Sequence, residues 1–377
     1  MTNKADPQAT VRANPQLRTA FKIIIALTTF AVAQALVLVW IWRGPKPAGG
    51  NRGGIFQASA EENVIRKKFP EVNFSAIYPD LTDAEIDRLQ RACLGLRYVY
   101  SPFIEFAPLP VTGRFVNITP AGFRKGRSDA PWPPAKDEFI VFVFGGSTAF
   151  GFGLPDGQTV VSALEENLGQ RFPGRTVRCY NFGRGYYFSA QERQLFESLL
   201  GQGFVPNAAL FIDGLNDFIY YDGVPQLTPP LFHFTAPDLP APQRPEPAND
   251  VERAAAAEQM IMRYQQNVRL TQAVAREYGV SVIFVGQPVP FLDFPMQAST
   301  YPFKSTFAEH RLAGWGYGRF KQAGREGRFG ERFVWCGNAF AHADRIMYVD
   351  SIHYSRTGAE ILAKCIVERA AEAGLLP

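Results

Sequence analysis

From residue 136 onward the chain alternates short apolar runs with helical periods, and that alternation restricts it to one architectural class. Phe139–Phe144 is apolar throughout and reads as a buried strand. Thr159–Phe172 carries Val160, Leu164, Leu168 and Phe172 at four-residue spacing and reads as a helix. Thr176–Tyr180, Ala209–Asp213, Val280–Val285 and a short Ile346–Val349 continue the strand series. Ala190–Leu200 closed by Gly201, Asp250–Tyr278 closed by Gly279, and Ser355–Ala373 are the helices that go with them. Buried strands separated by helices predict an α/β fold, a parallel sheet covered on both faces. Ligands bind such sheets at the carboxyl ends of the strands.

The remainder of the 377 residues divides by composition. After a short tail, residues 1–22, Ile23–Trp42 contains no charged side chain. Twenty helical residues span about 30 Å, the hydrocarbon thickness of a bilayer. Trp40 and Trp42 sit at one end, and Lys22 and Arg43 bracket the run. The segment is expected to be one transmembrane helix, with the lipid bilayer as its partner. Apolar residues continue beyond the cleavage-like Ala33-Gln34-Ala35, which argues for an uncleaved anchor. The main domain is then expected outside the cytoplasm, which is the periplasm if the cell is Gram-negative. Residues 43–54 read as a flexible Gly/Pro linker.

Residues 55–135 read as an extension that packs on the domain of residues 136–377. Within it Thr82–Leu96 has the spacing of a helix, Val111–Phe123 alternates like a strand, and Asp129–Lys136 is a Pro-rich hinge. Residues 224–249 are Pro-rich, a loop or lid, and Phe291–His342 shows no period. A net charge of +4 from 39 basic and 35 acidic residues is too balanced to predict a nucleic-acid partner. The four cysteines are far apart, which excludes a C-x-x-C site but permits disulfides. Cys179 and Cys365 fall in predicted core elements and are expected to be small buried hydrophobes.

Four segments carry chemistry. Gly145-Gly146-Ser147-Thr148 follows the first strand, where glycines let the backbone turn sharply and present a serine. Asn181-Phe182-Gly183-Arg184-Gly185, Gly214-Leu215-Asn216-Asp217 and Asp350-Ser351-Ile352-His353 come next, in that order. A serine hydroxyl needs a base, and His353 is the strongest candidate among four histidines. The Asp-x-x-His spacing lets Asp350 hold the imidazole Nδ1 and aim Nε2 at Ser147. His342 with Asp344 is a rival pair, and His233 lies in the Pro-rich stretch. Gly145-Gly146-Ser147-Thr148 lacks the P-loop lysine, and Gly183-Arg184-Gly185 is too short for a dinucleotide fingerprint. No cofactor and no metal is expected.

These four segments resemble the four motif blocks of the SGNH (GDSL-type) hydrolase superfamily over roughly residues 138–377. The resemblance implies a flavodoxin-like three-layer α/β/α sandwich. It implies Ser147 as nucleophile, His353 as base and Asp350 as its carboxylate. The oxyanion donors would be the Ser147 amide, the Asn216 side chain and an amide of the second block. That last donor is Gly185 or the following Tyr186, with Gly185 taken here. Gly146 departs from the pattern, which often has an aspartate there. Tyr186, Tyr187, Phe188, Phe218, Tyr220 and Tyr221 flank the blocks, either as a substrate-binding rim or as core. The implied activity is a membrane-anchored serine esterase acting on O-acyl, notably acetyl, esters of envelope glycans or lipids. An acyltransferase to a glycan, or a non-catalytic subunit with membrane-protein partners, is the alternative.

Overall fold

The computed structural model describes Lys22 and residues 64–225, 246–305, 307 and 310–376. The expected anchor Ile23–Trp42, the linker 43–54 and most of the Pro-rich stretch lie outside the described residues. Among the described residues no helix is long and apolar enough to cross a membrane. The chain divides into two units, Met1–Gly53 and Gly54–Pro377. Lys22, in a helix, is the described residue of the first unit, and the described residues from 64 onward all belong to the second.

A five-stranded parallel sheet forms the centre of the second unit: β3 (Phe139–Gly145), β4 (Val177–Asn181), β5 (Ala208–Asp213), β6 (Ser281–Gly286) and β7 (Phe333–Trp335). A separate antiparallel hairpin, β1 (Tyr98–Ser101) and β2 (Glu105–Pro108), precedes it. The spatial order is β4-β3-β5-β6-β7, so the second sheet strand lies outside the first. This is the flavodoxin-like order, with its switch point between β3 and the strands on either side. Val141 pairs with Cys179 on one side and Ala208 on the other.

Alternation along β3 assigns the two faces. Val141 and Val143 join one core with the helices Val160–Arg171 and Arg356–Glu372. Ile140, Phe142 and Phe144 join a second with Ser189–Gly201, Asp250–Glu277 and Arg311–Arg325. Each of these fully buried side chains contributes roughly 1.5–3 kcal/mol. On the second face Phe144, Phe211 and Phe284 stack across three strands at 4.9 and 5.2 Å. Helix starts are fixed by side-chain caps: Thr159, Asn249 and Ser355 accept from the amides of Ser162, Glu252 and Gly358.

Residues 64–135 share these cores. Ile65, Phe69, Ile86 and Leu89 lie in the first cluster, Ile104, Phe106 and Phe123 in the second. Three helices lie there, Val64–Lys68, Phe74–Ile77 and Asp83–Leu94, and Thr82 and Glu85 close a capping box on the last.

Several expectations need correction. Ile346–Val349 is not a sheet strand; Tyr348 makes only an isolated bridge to Tyr354. Met347, Tyr348 and Val349 are buried by packing rather than by strand pairing. The fifth strand is β7, in the segment that shows no period, since three residues are too short to display one. Val111–Phe123 forms isolated bridges (Val111 to Ile118, Ile118 to Arg124) and no continuous strand. Gly201 does not close its helix but is its last residue, and Gly203 at φ +86° comes after it. Cys365 is not a free thiol: it forms a disulfide with Cys336. Cys93 and Cys179 are free and buried.

Candidate active site

The site begins where β3 stops. Gly145 has φ +155°, and a Cβ there would sit 2.4 Å from the Ala149 Cβ and 2.9 Å from the Ile212 carbonyl. Only glycine fits this corner. Gly146 then precedes the short helix Ser147–Phe150, placing Ser147 at its first turn, half-buried. A Cβ on Gly146 would meet the Asn216 Nδ2 at 2.5 Å, so a larger residue would have to displace that side chain.

His353 Nε2 lies 2.8 Å from Ser147 Oγ, and His353 Nδ1 lies 2.6 Å from Asp350 Oδ2. With neutral imidazole, Nδ1–H donates to Asp350 and Nε2 accepts from the serine hydroxyl. The other carboxylate oxygen, Oδ1, accepts from the amides of Ile352 and His353 at 2.9 and 2.8 Å. Asp350 is therefore held by its own turn, which the Val349 amide closes onto the His353 carbonyl at 2.7 Å. Burial alone would raise the Asp350 carboxyl. The His353 charge, the ring hydrogen bond and the two amides outweigh it and hold the group below its ordinary range. The Phe152 ring packs on the imidazole at 4.5 Å, and the Tyr301 hydroxyl donates to the Ser351 carbonyl at 2.9 Å.

Asn216 comes after β5 and Gly214, which has φ +113°. Its Nδ2 donates to the Tyr187 carbonyl at 2.8 Å, fixing the amide against the loop after β4. That loop is tied to the serine corner by the Arg184 amide, which donates to the Gly145 carbonyl at 2.9 Å. Gly185 and Tyr186 are the middle of a turn closed from the Tyr187 amide to the Arg184 carbonyl, and Tyr186 has φ +66°. The structure thus brings Ser147, His353 and Asp350 into contact. It places Asn216, in the short helix Leu215–Ile219, beside Gly146, and ties the loop that holds Gly185 to Gly145 through the Arg184 amide.

Of the six aromatic residues considered as a rim, only Tyr186 is exposed, at 44%. Tyr187, Phe188, Phe218, Tyr220 and Tyr221 are core. Tyr187 uses its hydroxyl internally, accepting from Arg184 Nη1 at 2.8 Å and donating to the Ile104 carbonyl at 2.9 Å. The rival pair does not reach the serine: Asp344 instead pairs with Arg345 on the surface. His233 lies outside the described residues.

Sequence reading missed the polar floor of the site. Glu192, Asp213 and Asp217 line a small cavity with Gly146, Asn216 and Gln287. Asp217 accepts from the Ser189 hydroxyl at 2.5 Å. Burial raises the carboxyls of Glu192 and Asp217. It pushes Asp213 from 3.8 up to about 7, with the Asp217 charge adding to the rise. His310 was also missed; burial, and then the His353 charge, push its imidazole down to about 4. Among the described residues no group of His, Cys, Asp and Glu is arranged to hold a metal ion.

No family model matches the chain, and no curated protein matches it. Several solved structures are similar to it at low identity. One is a member of the lipolytic G-D-S-L family from Veillonella parvula, 12% identical, covering 61% of this chain and 96% of its own, with a TM-score of 0.38. Another is an acetylxylan esterase from Geobacillus stearothermophilus in a catalytic-mutant form, 16% identical, covering 61% and 93%, TM-score 0.36. A third is an alpha/beta hydrolase from the metagenome of Lake Arreo, Spain, 16% identical, covering 63% and 96%, TM-score 0.35.

Proposed function

We propose that this protein is a serine esterase in which Ser147 attacks an ester carbonyl. The observation that carries the reading is the unbroken relay from Asp350 Oδ2 through His353 to Ser147 Oγ, at 2.6 and 2.8 Å. In the first step His353 Nε2 takes the hydroxyl proton as the Ser147 oxygen bonds to carbon. Asp350 stabilises the imidazolium without being protonated. Negative charge develops on the former carbonyl oxygen. The Ser147 amide, the Asn216 side chain and an amide of the Gly185–Tyr186 turn are its donors. His353 then protonates the departing alcohol. Water, deprotonated by the same nitrogen, releases the acid and restores the serine.

The substrates we assign are short O-acyl groups, acetyl above all, on envelope glycans or lipids. Tyr187, Phe188, Phe218 and Tyr220 are committed to the core, which supports a short acyl group over a long one. The uncharged run Ile23–Trp42 supports attachment to a membrane. The Cys336–Cys365 disulfide supports a domain that works in an oxidising compartment outside the cytoplasm. The intact relay favours a working enzyme over a structural subunit.

The test is hydrolysis of p-nitrophenyl acetate, p-nitrophenyl octanoate and an acetylated oligosaccharide by the full chain and by Ser147→Ala. Acetyl release that disappears in the variant is expected. Equal rates from both proteins reject the reading.

A further inference from the structure

We propose that Arg124, contributed by the segment before the sheet domain, is a positioning residue for the nucleophile turn; the proposal rests on the catalytic reading of Ser147. The helix Ser147–Phe150 is four residues long, so its terminal carbonyls have no helical partners further along. Arg124 supplies them. Its side chain is fully buried. Nη1 donates to the carbonyls of Phe150 and Gly151 at 3.0 and 2.9 Å, and Nη2 donates to the Leu154 carbonyl at 2.5 Å. Its guanidinium carbon lies 4.6 Å from the centre of the Phe150 ring.

The remaining contacts hold the guanidinium itself. Nε donates to Asp156 Oδ1 at 2.8 Å, which compensates the buried charge. Asp156 is held in turn by the Asn117 side chain at 2.7 Å. The Arg124 amide donates to the Asn181 carbonyl at 2.9 Å. Asn181 completes the arrangement from the end of β4, its Nδ2 donating to the carbonyls of Ala149 and Phe150, both at 3.2 Å. Arg124 therefore ties the Ser147 turn to the segment before the sheet through its guanidinium, and to β4 through its own amide. A planar fork with five donors can span three carbonyls and a carboxylate at once; an ammonium on a flexible stem cannot. A displacement of about 1 Å at a reacting group costs on the order of a hundredfold in rate. The guanidinium thus acts on turnover through the placement of Ser147, without touching substrate.

The experiment measures kcat and KM for p-nitrophenyl acetate, and the fluorophosphonate labelling rate, in the full chain, Arg124→Lys and Arg124→Ala. Circular dichroism and melting report the fold. We expect Arg124→Lys to melt cooperatively, with kcat down about a hundredfold and KM little changed. Methylguanidinium should restore part of the kcat of Arg124→Ala and none of that lost in Ser147→Ala. An Arg124→Lys protein that is folded with unchanged kcat, or that cannot fold at all, overturns the positioning role. Failure of the unmodified chain to label at Ser147 overturns the esterase reading instead.

Discussion

Gly146 and Asn216 approach each other so closely that a Cβ on the first would stand 2.5 Å from Nδ2 of the second. The Tyr187 carbonyl, 3.1 Å from the same Cβ position, closes the other side. The Tyr187 carbonyl is backbone and is fixed, so the Asn216 side chain is what must give way. Gly146→Ala is therefore expected to displace the Asn216 amide and lower kcat by about 10²–10³, as loss of an oxyanion donor does, with KM nearly unchanged. Steady-state kinetics on an acetyl ester check this; an unaltered kcat would place Asn216 outside the chemistry.

Asp350→Asn should be more damaging. An amide facing His353 Nδ1 donates where the carboxylate accepted, which moves the ring proton to Nε2 and deprives Ser147 of its base. A fall in kcat of roughly 10⁴ near neutral pH is expected, with a circular dichroism spectrum like that of the unmodified protein. A loss of less than about tenfold would show that this carboxylate does not set the tautomer.

The floor of the site makes stability depend on pH. The folded-state value for Asp213 is raised from 3.8 to about 7, chiefly by burial. The folded protein then holds a proton that the unfolded chain releases. Its contribution is complete below about pH 4 and is lost as pH rises through about 7. Asp350 has the opposite sign, since its carboxyl is lowered and its contribution is lost in acid. Asp213→Asn should therefore flatten the decline in melting temperature between about pH 5 and 8. Parallel melting curves for the two proteins across that range would contradict this.

The disulfide closes 29 residues of chain, joining the segment after β7 to the helix Arg356–Glu372 that comes after the His353 turn. Constraint of the unfolded chain by a loop of this size is worth about 3.6 kcal/mol. Cys336→Ala with Cys365→Ala should lower the urea midpoint accordingly, and added reductant should lower the unmodified protein by the same amount. Coincident curves with and without reductant would show that the bond adds nothing.

How much of the molecule is legible in its sequence depends on how local each signal is. The strand β3 is legible because six consecutive apolar residues are buried on both faces. The serine, histidine and aspartate are legible because each lies in a short contiguous motif, and Asp350 is oriented by amides only two and three residues away. Arg124 is invisible by that route: its meaning resides in carbonyls 26 to 30 residues distant. Glu192, Asp213 and Asp217 likewise come from two helices and a strand end. Four cysteines allow three pairings, and spacing alone does not choose among them. Ile346–Val349 misled because Met347, Tyr348 and Val349 are buried without pairing in the sheet, and composition registers burial rather than hydrogen bonding.

The most direct test is mapping of a fluorophosphonate adduct by mass spectrometry on the folded 377-residue chain. The catalytic reading predicts one phosphonyl group, bonded to Ser147 Oγ with loss of fluoride, absent in Ser147→Ala and formed far more slowly in His353→Ala. Folded protein that carries no adduct at Ser147, while releasing acetate at the same rate with or without that hydroxyl, would contradict it.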